Sequence, residues 1–258
     1  MILAIDTGNT NIVLGCIKNG KILFTERMET DLRRTELEYA IAFRNVMELH
    51  GITPSQLDGG IISSVVPPLI NVLRQALAKL ADIEMMVVSH ELETGLTLQM
   101  DNPAAVGSDL IVDAAAALEL YGSPVTVIDM GTATTLSVVD KSGAYISTII
   151  MPGARISLDS LVSGTAQLPK IGLSVPPSVI GKNTVDCMRS GVLYGSAAML
   201  DGMLDRIFEE LGYETKIVAT GGLAHAVIPH CRHNIILNDE LLLQGLLLIY
   251  EKNRRERT

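Results

Sequence analysis

Two stretches of this chain place an aspartate, a glycine and small hydroxyl or amide side chains directly after a short apolar run. They are Ile5-Asp6-Thr7-Gly8-Asn9-Thr10-Asn11 and Ile128-Asp129-Met130-Gly131-Thr132. An Asp at the end of a buried strand can hold a hydrated cation that is itself bound to phosphates. The glycine lets the backbone turn and approach a ligand. Thr and Asn supply neutral donors for phosphate oxygens. Laid over each other without a gap, residues 5–20 and 128–143 match at Ile5 and Ile128, Asp6 and Asp129, Gly8 and Gly131, and Gly20 and Gly143. The offset of 123 residues, from Asp6 to Asp129, is close to half of the 258 in the chain. One such turn also reads as a tight hairpin built from its usual residues. Its repetition points to a duplicated half-molecule whose two acidic turns face a shared nucleotide cleft.

Three further stretches could carry chemistry. Ala219-Thr220-Gly221-Gly222 follows an apolar run, and its glycine pair leaves room for a flat base or a ribose against bare backbone. No stretch matches GxGxxG or GxxxxGK[ST], which argues against a Rossmann or P-loop nucleotide site. Gly107-Ser108-Asp109 opens an Ala-rich segment that reads as a helix. A carboxylate in that first turn is favoured in its charged form by the helix dipole and can accept a hydroxyl proton; plain helix capping is the commoner role for such a residue. Gly181-Lys182-Asn183-Thr184 resembles a donor-rich helix start suited to an anion or a polar substrate, or to simple capping.

The elements that must position these residues repeat with them. Met1–Asp6, Asn11–Ile17 and Lys21–Arg27 read as strands, with Asn19-Gly20 at the hairpin turn. Val125–Asp129, Thr134–Val139 and Tyr145–Ile150 repeat the pattern around Ser142-Gly143. Three antiparallel strands opening on an acidic turn, twice, are the framework of an α/β fold with two ribonuclease-H-like domains. The expected division is 1–120 and 121–258, near Ser123-Pro124. Between the strands, Glu36–Leu49 reads as an amphipathic helix with Leu37, Ala40, Ile41, Val46 and Leu49 as its apolar positions. Helices are expected from Leu69 to Leu80, Ser108 to Leu120, Thr184 to Leu211 and Asp239 to Lys252. The closing helix could return to the first domain. Leu161–Lys182, with Pro169, Pro176 and Pro177, is the longest irregular stretch and the place for a functional loop.

A net charge of −9 argues against a nucleic-acid partner, which needs clustered basic residues. The one basic cluster, Lys252 to Arg257, reads as a frayed end. No apolar run approaches the ~20 residues of a membrane span. Three cysteines, odd in number and without a CxxC, suit a reducing compartment. With no basic leader before the first strand, the expected location is the cytoplasm. His225, His230, Cys231 and His233 match no standard zinc spacing and read as a packed loop.

Asp6-Thr7-Gly8-Asn9-Thr10, Asn102-Pro103, Val106-Gly107-x-Asp109, Asp129-x-Gly131-Thr132-Ala133-Thr134, Thr165-Ala166-Gln167-Leu168-Pro169, Gly181-Lys182-Asn183-Thr184 and Gly221-Gly222-Leu223-Ala224 occur in one order and spacing. That ordered set, with the closing Gly245 to Asn253, resembles type III pantothenate kinase over nearly the whole chain. The resemblance implies an actin-like ATPase fold, a homodimer, and ATP-dependent phosphorylation of pantothenate, the first step toward coenzyme A. It implies Asp109 as proton acceptor and the ATP phosphates on Asp6, Thr7, Gly8, Asn9, Thr10, Asn11, Ile12, Val13 and Thr132. It implies Mg2+ held through water at Asp6, potassium or ammonium at Asp129, and pantothenate near Gly107, Ser108, Thr165 and Thr184. Gly221 and Gly222 complete the nucleotide set. The acceptor half departs from the family pattern. Leu110 stands where an arginine commonly faces the pantothenate carboxylate, Met100 where a tyrosine lines the site, and Asp113 where an asparagine is usual. A kinase of another small alcohol, or a nucleotide-binding regulatory protein without turnover, are the alternative readings.

Overall fold

The computed structural model of the protein describes residues 1–89 and 91–255. In chain order the first elements are β1 (Ile2–Thr7), β2 (Asn11–Lys18), β3 (Lys21–Glu29), α1 (Glu36–Leu49), β4 (Gly59–Ser64), α2 (Pro67–Ala78), β5 (Met85–Val87) and β6 (Thr97–Leu98). They are followed by α3 (Ser108–Tyr121), β7 (Val125–Met130), β8 (Ala133–Val139), β9 (Ala144–Pro152), α4 (Ala154–Ser163) and α5 (Thr184–Leu211). The chain closes with β10 (Lys216–Thr220), α6 (Ala224–Val227), β11 (Ile236–Leu237) and α7 (Leu241–Arg255). Two compact units result: Met1–Leu96 with Asp101–Ala116 and Leu241–Thr258, and Thr97–Met100 with Ala117–Glu240.

The duplication is visible in the sheets. The first unit holds β3-β2-β1-β4-β5, and the second holds the same order, β9-β8-β7-β10-β11, with β6 added beyond β9. In each, the central strand pairs antiparallel with its hairpin neighbour and parallel with the strand on its other side. The hairpin turns need left-handed backbone, and Asn19, Gly20 and Gly143 supply it with φ of 52°, 75° and 81°.

In the first unit the sheet is covered on both faces, so β1 is buried along its whole length. Leu3 and Ile5 face Tyr39, Phe43 and Met47 of α1 together with Leu69 and Leu73 of α2. Ile2 and Ala4 face Val112 and Ala115 of α3 with Leu243, Leu246 and Ile249 of α7. Helix α1 starts on a capping box between Thr35 and Glu38. Its buried stripe differs from the expected one. Tyr39, Ala40, Phe43 and Met47 are buried, whereas Leu37, Ile41 and Leu49 are exposed. The two aromatic rings and Met47 recur every four residues and bring more apolar surface than the expected set, so they take the core side.

Three other elements depart from expectation. Helix α2 begins at Pro67, because proline is tolerated in a first turn where its missing N–H has no partner to lose. Helix α4 occupies the start of the stretch read as irregular, which is reduced to residues 164–183. The chain stays helical to Arg255 instead of fraying at Lys252. Asn253 locks this end: its Nδ2 donates to Glu93 O at 2.9 Å and Ile249 O at 2.8 Å, and its Oδ1 accepts from Glu93 N at 3.0 Å. Residues 256 and 257 of the expected frayed end lie outside the described residues.

Helix α7 lies close on α3 because Gly245 has no side chain. A Cβ there would sit 2.3 Å from the Val112 carbonyl oxygen, a backbone atom that cannot swing away. Gly245→Ala is therefore expected to lower stability by about 1–3 kcal/mol. A reduced urea midpoint at unchanged slope is the expected reading; an unchanged midpoint would show that the two helices are not in firm contact.

Candidate active site

In the first unit the Asp6 turn is a tight connection between β1 and β2. Gly8 N donates to Asn11 O at 3.0 Å and closes the loop. A strap from the end of β3 holds it from outside: Thr30 Oγ1 donates to Gly8 O at 2.7 Å, and Thr30 N donates to Thr10 O at 3.0 Å. Asp6 and Thr7 are buried, while Asn9, Thr10 and Asn11 are exposed. A cavity of about 440 Å3 opens beside the loop, lined by Asn9, Thr30, Asp31, Leu32, Arg33, Val66 and Glu29. That volume suits a small polar ligand. The Arg33 guanidinium, 3.1 Å from Asp31, holds the Asp31 carboxyl below its usual range.

Asp109 lies in the first turn of α3, in the same unit. Its carboxylate folds back over Gly107, where a Cβ would come within 2.5 Å of Oδ1, and it accepts from Leu110 N at 2.9 Å. Burial pushes its carboxyl above the ordinary range, and the Leu110 hydrogen bond partly opposes the shift. A raised pKa brings a carboxylate nearer to the working pH of a general base. Ser108 Oγ is turned toward β4, meeting Ser63 Oγ and Ser64 N at 3.0 Å each.

The second unit rebuilds the turn with different neighbours. Gly221, with φ of 98°, lies directly on Asp129, and a Cβ there would meet Asp129 Oδ1 at 2.5 Å and Met130 N at 2.6 Å. Gly153, just after β9, receives the carbonyl oxygens of Thr132 and Gly131, which would lie 2.3 Å and 2.8 Å from a Cβ at that position. The turn thus sets the Asp129 carboxylate against Gly221 and the Gly131 and Thr132 carbonyls against Gly153. Gly222 and Thr132 are exposed beside it.

The remaining candidates are more dispersed. Thr184 is the exposed first residue of α5, whose start is capped by Asn183 Oδ1 accepting from Asp186 N at 2.9 Å. Thr165 Oγ1 donates to Leu161 O at 2.7 Å at the end of α4. Met100 is half-buried after β6, and Leu110 is half-buried in α3. Sequence reasoning missed Thr30, Ser63, Ser64 and Gly153. None carries a local signature, because each acts on a residue distant in the chain. The side chains of the His225 to His233 stretch contact protein neighbours. His230 lies tilted at 59° against Tyr194 with ring centroids 4.8 Å apart, and His233 Nε2 lies 2.9 Å from Asp205. Burial pushes the Cys231 thiol up to about 12.

Two sheets of one order, each opening on an aspartate at the end of its central strand, are the duplicated ribonuclease-H-like domains of the actin-like ATPase fold. The structure matches component A of (R)-2-hydroxyglutaryl-CoA dehydratase from Acidaminococcus fermentans with a TM-score of 0.59, at 15% identity over 100% of this chain and 99% of that one. It also matches the activator of 2-hydroxyisocaproyl-CoA dehydratase from Clostridium difficile, a structure with bound ADPNP, with a TM-score of 0.57 at 14% identity over 99% of this chain and 96% of that one. The family model for type III pantothenate kinase matches residues 2–206. A type III pantothenate kinase from Bacillus cytotoxicus is 40% identical over 98% of this chain and 97% of its own length. The chain belongs to the type III pantothenate kinase family.

The raised pKa of Asp109 has a consequence for stability. Its folded value lies above its unfolded value, so the folded state binds the proton more tightly. Stability from this group is present at low pH and is lost as pH rises from the unfolded to the folded value. Asp109→Asn removes that penalty, so the variant should melt higher than the parent at neutral pH, with the difference vanishing below the ordinary carboxylate range. Thermal melts across pH check this; a neutral-pH melting point below the parent's would mean that the carboxylate stabilises the fold.

Proposed function

We propose that the protein transfers the γ-phosphoryl group of ATP to the primary hydroxyl of pantothenate, with Asp109 as general base. The observation that carries this reading is the half-buried Asp109 carboxylate, its pKa raised, in the same unit as the phosphate loop of Asp6. The hydroxyl proton passes to Asp109, the hydroxyl oxygen bonds to the γ-phosphorus, and the bond to the β-phosphate oxygen breaks. Such a transfer is mostly positioning and charge neutralisation. The loop from Asp6 to Val13 offers backbone N–H groups and the exposed Thr10 and Asn11 side chains to phosphate oxygens.

The donor set fits a divalent cation at Asp6: a carboxylate at a strand end, with exposed Asn9 and Thr10 beside it, suits Mg2+ held through water. Bound there, Mg2+ neutralises phosphate charge. The Asp129 carboxylate and the carbonyls of Gly131 and Thr132 fit a larger monovalent cation, potassium or ammonium. Gly221 and Gly222 offer bare backbone to the base or ribose. The residues carried over for pantothenate are Gly107 and Leu110 in the first unit and Met100, Thr165 and Thr184 in the second. A homodimer accounts for Ile150, Ile156 and Leu161, apolar and exposed on β9 and α4. No helix among the described residues is long and apolar enough to cross a membrane.

The direct test is formation of 4′-phosphopantothenate from ATP and pantothenate with Mg2+ and K+ or NH4+. Product is expected. ATP binding without product would replace the reading with another alcohol acceptor or a regulatory role. Asp109→Asn should cut turnover by about 10²- to 10⁴-fold while ATP still binds. The parent's rate should fall as pH drops through a value above the ordinary carboxylate range, because only the deprotonated form accepts the proton. Gly153→Ala should abolish activation by K+ or NH4+ because its Cβ displaces the two carbonyls. Full cation activation in that variant would move the monovalent site elsewhere.

A further inference from the structure

Asp109 needs a fixed position to act as base, and among the described residues its side chain is tied within its own turn, to Leu110 N. What ties the turn to the rest of the unit is Ser108. Its Oγ accepts from Ser64 N at 3.0 Å and shares a hydrogen bond with Ser63 Oγ at 3.0 Å. Ser63 is fully buried and is the register partner of Asp6 on the parallel neighbour β4. Register partners on parallel strands point to the same face, as Ala4 and Ile61 do one step earlier in the same core. The side chains of Asp6 and Ser63 therefore stand side by side, one strand spacing apart. Ser63 reaches Ser108, and Asp109 follows in the chain. Two carboxylates with different tasks are joined by an unbroken series of strand neighbour, hydrogen bond and peptide bond.

We propose that the Ser63–Ser108 pair is the positioning device of the reaction: it sets the Asp109 turn against the end of the strand that carries Asp6. Ser108 is thus a positioning residue whose hydroxyl is committed to β4 and not to substrate. The proposal rests on Asp109 being the base. Removing the Ser108 hydroxyl leaves Ser64 N and Ser63 Oγ without this partner. It also frees the α3 start to shift, and a displacement of about 1 Å at a reacting group can cost on the order of 10²-fold.

The test uses the full chain with Mg2+ and a monovalent cation, comparing Ser108→Ala, Ser108→Thr, Ser63→Ala, Asp109→Asn and the double variant Ser108→Ala/Asp109→Asn. Ser108→Ala should lower kcat by about 10- to 100-fold with the KM for ATP little changed, the signature of a contact used in the transition state. The acid limb of its pH–rate profile should shift from the parent's. Ser108→Thr should recover most of kcat, and Ser63→Ala should lose activity in the same sense. Adding Ser108→Ala to Asp109→Asn should cost nothing more. Parental kcat in Ser108→Ala beside an inactive Asp109→Asn overturns the positioning role and leaves the base assignment intact. A further loss in the double variant also overturns it, since Ser108 would then act other than through Asp109. Parental kcat in Asp109→Asn removes the base and the device together. If Ser108→Ala does not fold, Ser108→Thr and Ser63→Ala decide the matter by the same readings.

Discussion

Everything in the first unit depends on holding a carboxylate at the end of a strand that water cannot reach. β1 is buried from Ile2 to Thr7, with α1 and α2 on one face and α3 and α7 on the other. A charge placed inside such a strand would carry a heavy desolvation penalty. Asp6 stands one residue before the ladder ends at Thr7 and is itself buried, so its carboxylate bears part of that penalty. The two helix layers make the strand rigid, and the rigidity gives the carboxylate a defined place. The same logic puts Asp129 at the end of β7 in the second unit, between a hairpin partner and a parallel one.

The two acidic turns are copies in backbone but not in surroundings. Around Asp6, side chains do the holding: Thr30 reaches the loop, and Ser63 stands beside it. Around Asp129, glycines do it: Gly221 and Gly153 let backbone approach backbone where a methyl group would intrude. One half therefore presents hydroxyls and amides, and the other presents carbonyl oxygens. Divergence after duplication left the two turns with different chemistry around the same aspartate. The backbone path did not have to change.

Much of this was legible in the chain. The repeat of residues 5–20 at 128–143 was enough to expect two similar sheets, because strand-turn-strand patterns are local. The boundaries of α1 and α5 were readable from Thr35 with Glu38, and from Asn183 and Gly212, which caps α5 with φ of 72°. Helix α4 was not readable: it follows Pro152-Gly153 with no side-chain cap, and serines interrupt its apolar residues. The buried face of α1 was misjudged because exposed Leu37 and Ile41 carry the same period as Tyr39 and Phe43. The contacts of Thr30, Ser63 and Gly153 lie beyond any local reading. Each joins residues that only the folded sheet brings near.

The closing helix bears on the order in which the molecule can be made. Leu243 packs against Gly15, Tyr250 meets Gly59, and Gly245 lies on Val112, all within the first unit. Yet these residues are translated only after Ala117 to Glu240 of the second unit. Domains commonly fold as they emerge, the first before the second. Here the earlier half leaves the ribosome with the α7 part of one sheet face still exposed. It must wait, unfinished, while the later half is synthesised. The half that starts last is the one that can finish first.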